Sequence, residues 1–160
     1  MAYRIEGLPR SEFEHYFGLD DSALARKCAR RVIADSDRGF PCRLTLEDAR
    51  AGESLILVHY ASHEVETPYR SAYAIYVRER AESATPYVDC TPPVFEGRAL
   101  SLRAFASDGM IVEARLAQPG EADAAIRRLF SDPDTAYIHA HNAAYGCFAA
   151  RIDRHEEQGR

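Results

Sequence analysis

A chain of 160 residues that is 46% hydrophobic and 28% charged is long enough to bury a proper core and has ordinary globular composition. Its net charge of −5, its single lysine (Lys27) and its scattered arginines lack the basic footprint of a nucleic-acid binder. Residues 1–7 lack the charged start and apolar run of a secretory signal, and no apolar segment approaches the ~18 residues a membrane crossing needs.

In chain order, Tyr3 to Ile5 reads as a short strand closed by Gly7 and Pro9. Ser11 and Glu14 form a capping-box pattern ahead of Phe13, Tyr16 and Phe17, which predicts a helix that Gly18 stops. Asp20 caps a second short helix through Lys27, with Leu24 and Cys28 four apart and so both assigned to the core. A strand follows near Arg31 to Ala34. Arg38 to Arg43 is a Gly- and Pro-containing loop, and Leu44 to Ala49 is a brief helical turn. Leu55 to Tyr60 is nearly continuous in apolar residues and reads as a central strand covered on both faces, with His59 at its end. Ala61 to Thr67 is a polar loop, and Pro68-Tyr69-Arg70 leads into a strand over Ser71 to Arg78.

Glu79 to Pro93 has little periodicity and reads as an exposed connection. Ala99–Ala106 and Met110–Leu116 flank Ser107-Asp108-Gly109, the strongest hairpin signal in the chain, because Asp and Gly tolerate positive φ. After Pro119-Gly120 the stripe Ala122, Ala125, Ile126, Leu129 and Phe130 predicts a helix that Asp132-Pro133 ends. Thr135 to Ile152 reads as strand, Gly-containing loop and strand. Tyr137, His139 and His141 share one face there, and Ala136, Ile138 and Ala140 share the other. The whole is predicted to be α+β, a largely antiparallel sheet with a few helices packed against it, in one domain (1–160) with a frayed polar tail at 154–160.

The polar strand face is the sharpest sign of chemistry. His139 and His141 can converge on a Zn or Fe ion, with His59, Cys147, Cys42 or Glu113 as a third ligand. The bland alternative is two imidazoles hydrogen-bonded on a partly wet sheet. A thiol site is the second reading. Cys42 precedes Arg43 in a Pro-bounded loop, and Cys147 follows a glycine. His139 or His141 would be the base, and Asn142 would orient an imidazole or donate to an oxyanion. Against it stands the habit of free cysteines to be buried. The third reading is an anion pocket built on Arg43, Arg70 or Arg103, with Tyr69 and Ser71 beside it. Its alternative is internal ion pairing with Glu47, Asp48, Glu79 or Glu113.

The four cysteines (Cys28, Cys42, Cys90 and Cys147) are widely spaced without C-x-x-C, as in a cytoplasmic protein with reduced thiols. Together these readings give a small cytoplasmic protein that binds or acts on a small polar or anionic molecule at a His/Cys/Arg pocket. The other option is a non-catalytic binding or homodimeric module using the aromatic and histidine face as its interface.

Four phrases occur in this order: Phe40-Pro41-Cys42-Arg43, Pro68-Tyr69-Arg70-Ser71, Leu100-Ser101-Leu102-Arg103-Ala104-Phe105, and His139-Ala140-His141-Asn142 followed by Gly146-Cys147. On them the chain resembles, over essentially its whole length, a family of short bacterial proteins catalogued as domain of unknown function number 1203. The resemblance implies a bacterial, stand-alone, cytoplasmic single-domain protein and carries no activity, cofactor or substrate. The chain departs from the family pattern at Tyr73, where the resemblance leads one to expect His.

Overall fold

The hydrophobic alternation is laid down as nine strands and two α-helices within residues 1–156, the part of the chain the computed structural model describes. The strands are β1 (Ala2–Glu6), β2 (Ala29–Ile33), β3 (Ser54–His63), β4 (Ser71–Arg78), β5 (Tyr87–Val88), β6 (Leu100–Phe105), β7 (Ile111–Ala117), β8 (Tyr137–Asn142) and β9 (Phe148–His155). The helices are α1 (Asp21–Arg26) and α2 (Ala122–Phe130). Six strands form one sheet in the order β5-β1-β9-β8-β6-β7, and β2-β3-β4 form a second. The pairings in both sheets are antiparallel, so the predicted α+β class holds.

The two faces of the large sheet have different partners. The small apolar face of β8, Ile138 and Ala140, joins Leu100, Leu102 and Ala104 of β6 beneath the buried stripe of α2. Burying Ile126, Leu129 and Phe130 of that stripe contributes about 2 kcal/mol each before entropy is counted. The other face carries Phe105, Tyr137, His139, His141 and Phe148, and the small sheet closes over it. His63 lies 4.2 Å from Phe105, Tyr73 4.9 Å from His141, and Tyr60 6.2 Å from Phe148, ring centre to ring centre. The histidine face is therefore an interior between two sheets of one chain. It is not an outer surface for a partner.

The Asp108-Gly109 hairpin, the Asp20-capped α1 and the α2 stripe form as predicted, with the Asp20 carboxylate accepting from Ala23 N at 2.8 Å. Elsewhere the structure differs. The capping box at Ser11 makes no cap hydrogen bond, and the segment forms two 3-10 turns, Arg10–Glu12 and Glu14–Tyr16. Phe13 between them has φ −121° and is drawn into the core beneath the small sheet, which interrupts any longer helix. Cys28 is exposed, because α1 ends at Arg26 and Cys28 adopts φ +53°, off the helical register of Leu24. The Leu44–Ala49 segment is a non-helical turn with Leu46 at φ +57°.

Strand β3 runs on through the expected 61–67 loop as far as His63. It is covered on both faces only at its start, since His59 and Ala61 are exposed. The 79–93 connection contains β5, paired with β1. In the expected tail, Arg154 and His155 belong to β9 and pair with Tyr3 and Ala2. Residues 157–160 of that tail lie outside the described residues.

Candidate functional site

A hairpin and a loop bring the chemistry together. Asn142 N donates to Cys147 O at 3.0 Å and Gly146 N to Asn142 O at 2.8 Å, closing the β8–β9 connection with Gly146 at φ +75°. Opposite it, the loop after Pro41 is pinned from both sides. Arg43 N donates to Tyr76 O of β4 at 3.0 Å, and Arg43 O accepts from Leu8 N at 2.7 Å. Where β9 leaves the hairpin it carries one extra residue, Ala149, between the pairs His141–Phe148 and Ala140–Ala150. A bulge of this kind leaves ladder groups unpaired, and the Phe148 carbonyl here accepts from Arg43 Nε at 2.8 Å.

The Arg43 side chain is only 2% exposed. Its other donors reach Pro41 O at 2.7 Å and Cys147 Sγ at 3.3 Å. Asn142 Nδ2 donates to the same sulfur at 3.3 Å. Arg43, Tyr73, Asn142 and Cys147 supply polar walls to a cavity of about 560 Å³, with Leu57 and Tyr145 among its apolar ones. On the far side of Tyr73, Arg103 Nη1 donates to its hydroxyl at 3.0 Å.

Three of the four acids expected to neutralise these arginines are engaged elsewhere. Asp48 pairs with Arg98 at 2.7 Å, Glu79 with Arg31 at 2.6 Å, and Glu113 with Arg115 at 2.7 Å. Among the described residues neither Arg43 nor Arg103 meets a carboxylate within 4 Å. Burial pulls the Arg43 pKa down, and the Cys147 sulfur opposes that pull. The buried guanidinium is thus met by two backbone carbonyls and a sulfur, and by no carboxylate.

His139 and His141 are neutral. Burial, then the neighbouring His63 and His141, hold His139 down at about 3. Burial is also the main cause for His141, held at about 4. The Gly146 hydrogen bond opposes it, while Arg103 and Arg43 push the same way as burial. His141 Nδ1 faces the Gly146 carbonyl at 2.9 Å, so that nitrogen carries the proton and Nε2 is a free acceptor.

The polar loop reading left out His63. It is buried, its Nδ1–H donates to Tyr69 O at 2.9 Å, and its Nε2 accepts from the Tyr137 hydroxyl at 2.6 Å. Alternation along β3 would have placed it outward beside His59. An irregularity between Ala61 and His63 turns it inward instead, and sequence alone gives no sign of that. Replacing Tyr137 by Phe strands a buried ring nitrogen and is expected to cost about 1–2 kcal/mol in urea unfolding, against little effect for Tyr145→Phe at the surface.

Cys42 sits in the core, fully buried, its sulfur accepting from Leu44 N at 3.4 Å and Arg78 N at 3.3 Å. The Pro-bounded loop thus holds Cys42 as a core side chain, the alternative to a reactive thiol. The Tyr69 carbonyl serves His63 and accepts from Ser71 Oγ at 2.7 Å, and neither residue lines the cavity. The metal reading lacks its third ligand: among the described residues no group of three His, Cys, Asp or Glu side chains is placed to hold an ion. The ring centres of His139 and His141 are 6.3 Å apart, His59 is exposed on the outer face, and Glu113 is tied to Arg115. Among the described residues no helix is long and apolar enough to cross a membrane.

A family model described as "Protein of unknown function (DUF1203)" matches residues 39–154, a span that contains every residue lining the cavity. No curated protein and no solved structure matches the chain.

Proposed function

The chain belongs to this family of unknown function, whose description states no activity, and from the cavity we propose that it binds a small anionic molecule and engages it through Cys147. Arg43 supplies the positive charge, Asn142 an amide donor, and the Tyr73 hydroxyl, held by Arg103, a further polar contact. One observation carries the reading. The Cys147 sulfur, in a cavity wall, accepts from both a carboxylate-free buried guanidinium and an amide. Two such donors stabilise negative charge on sulfur, and the thiolate is the nucleophilic form. All four cysteines are unpaired, which supports a reducing compartment such as a bacterial cytoplasm.

The test is competitive alkylation with iodoacetate and iodoacetamide, followed residue by residue by peptide mass mapping. Cys90 is exposed and serves as the internal reference. Cys147 is expected to favour the anionic reagent over the neutral one by about tenfold more than Cys90 does, and Arg43→Met should abolish that preference. A Cys147 with the same preference as Cys90, unchanged in the variant, would refute the assignment. A module that binds the same anion without bond formation would show ligand protection of Cys147 but no enhanced reactivity.

A further inference from the structure

The cavity beside Cys147 does not end at Leu57. A second hollow of about 540 Å³ lies on the outer face of the small sheet, lined by Cys28, Arg30 and His59 together with Leu57 and Ala74. Leu57 and Ala74 also line the first cavity, so the two hollows adjoin across a shared floor and together form a trough. The pairing explains its direction. Arg30 lies opposite Leu57, and Leu57 opposite Tyr76, so the trough crosses β2, β3 and β4 at right angles to the strands. Two strand spacings put Arg30 roughly 10 Å from the Tyr76 wall. Among the described residues nothing covers this half of the face: His59, Ala74 and Arg30 are exposed, and the small side chain of Ala74 leaves the channel open.

The chemistry differs along the trough. At one end are Cys147 and Arg43, in the middle Leu57 and Ala74, and at the other end Arg30 and His59. Among the described residues Arg30 meets no carboxylate within 4 Å. On the premise that the cavity is the binding site, we propose that its ligand is elongated: a reactive polar head at Cys147, an apolar chain over Leu57 and Ala74, and a terminal carboxylate at Arg30. From the Tyr76 wall to Arg30 it crosses roughly 10 Å of sheet, which an extended chain of about eight atoms spans, and the polar head reaches on from that wall to Cys147. Arg30 and His59 precede or stand apart from the thiol motif, and Arg30 lies outside residues 39–154, so ligand length would be read by a part of the chain outside the family match.

Two measurements test this on the full chain. The first uses iodoacetamides bearing a terminal carboxylate on a short, medium or long (about eight-methylene) chain. In each, the Cys147 sulfur displaces iodide: the S–C bond forms, the C–I bond breaks, and iodide leaves with its electron pair. The long carboxylate is expected to label Cys147 about tenfold faster than the short one, and Arg30→Glu to remove that advantage while leaving labelling by plain iodoacetamide unchanged. Labelling that is independent of chain length, or a length advantage that survives Arg30→Glu, overturns the trough.

The second measurement does not need a reactive thiol. An unreactive linear dicarboxylate of the same length is titrated into protein with ¹³C-labelled methyl groups. Saturable shifts at Leu57 and Ala74, lost in Arg30→Glu, support the trough whatever Cys147 does, and their absence overturns it. Failure of the thiol assignment alone would instead appear as slow Cys147 labelling with these methyl shifts intact.

Discussion

Between pH 7 and pH 4.5 the protein is expected to lose on the order of 2 kcal/mol of stability for each of two imidazoles. His139 and His141 are neutral in the fold, held at about 3 and about 4, against an unfolded value near the ordinary 6.5. The native state therefore binds fewer protons than the unfolded chain throughout this window. Stability is fully present above about 6.5 and falls as the pH drops towards the folded values. The groups around the pair add to the effect. His63 comes from β3, Arg103 from β6 and Arg151 from β9, and Arg43 enters from its loop, and none of these is a carboxylate that would favour the charged ring.

Urea unfolding at several pH values measures this directly. The His139→Phe, His141→Gln double variant should flatten the curve above pH 5, whatever its stability at pH 7. The carboxylates of Glu53 and Asp123, held low by Arg78 and Arg127, contribute in the same direction only at more acidic pH. A wild-type stability that is level from pH 7 to pH 4.5 would mean the imidazoles are not desolvated between the sheets.

Gly7→Ala is expected to be among the most damaging single-methyl additions in the chain. A Cβ at Gly7 would stand 1.9 Å from the Leu44 carbonyl oxygen and 2.6 Å from its carbon, both backbone atoms that no rotamer change can move aside. The adjacent hydrogen bond from Leu8 N to Arg43 O must open to relieve the clash. An overpacking of this kind costs about 3 kcal/mol or more, roughly a 10 °C fall in melting temperature for a chain of this size. The same displacement moves the loop that carries Arg43. Cys147 in the variant should accordingly lose its preference for anionic alkylating agents, even at temperatures where the fold persists. Ala at Gly18, where nothing lies within 4 Å, tests φ strain without the clash and should cost less.

Much of the architecture was legible because local signals agreed with tertiary demands. Asp108-Gly109, the α2 stripe and the alternation of Tyr137, His139 and His141 each have a short-range cause, and each element formed. The Cys147, Asn142 and Arg43 constellation was readable only as a set of residue types. What the sequence could not convey was which groups meet. Asp48 lies close to Arg43 in sequence yet pairs with Arg98, and the sulfur that Arg43 reaches is over a hundred residues away. His63 escaped notice because a strand irregularity reverses the side on which alternation would put it. Cys28 left its expected core position because it falls just past a helix end at positive φ, while Cys42 took the buried place usual for a free cysteine, folded under the small sheet.

The pairing of β1 with β9 has a consequence for how the protein is made. Arg151 to His155, the principal partners of Ala2 to Glu6, are made at least 145 residues later. β1 sits inside the large sheet, between β5 and β9, so that sheet cannot be completed until β9 has been made. Until then the buried residues Tyr3 and Ile5 lack their cover, and closing so long a loop slows folding. Loss of even the last few residues of β9 leaves β1 without its main partner.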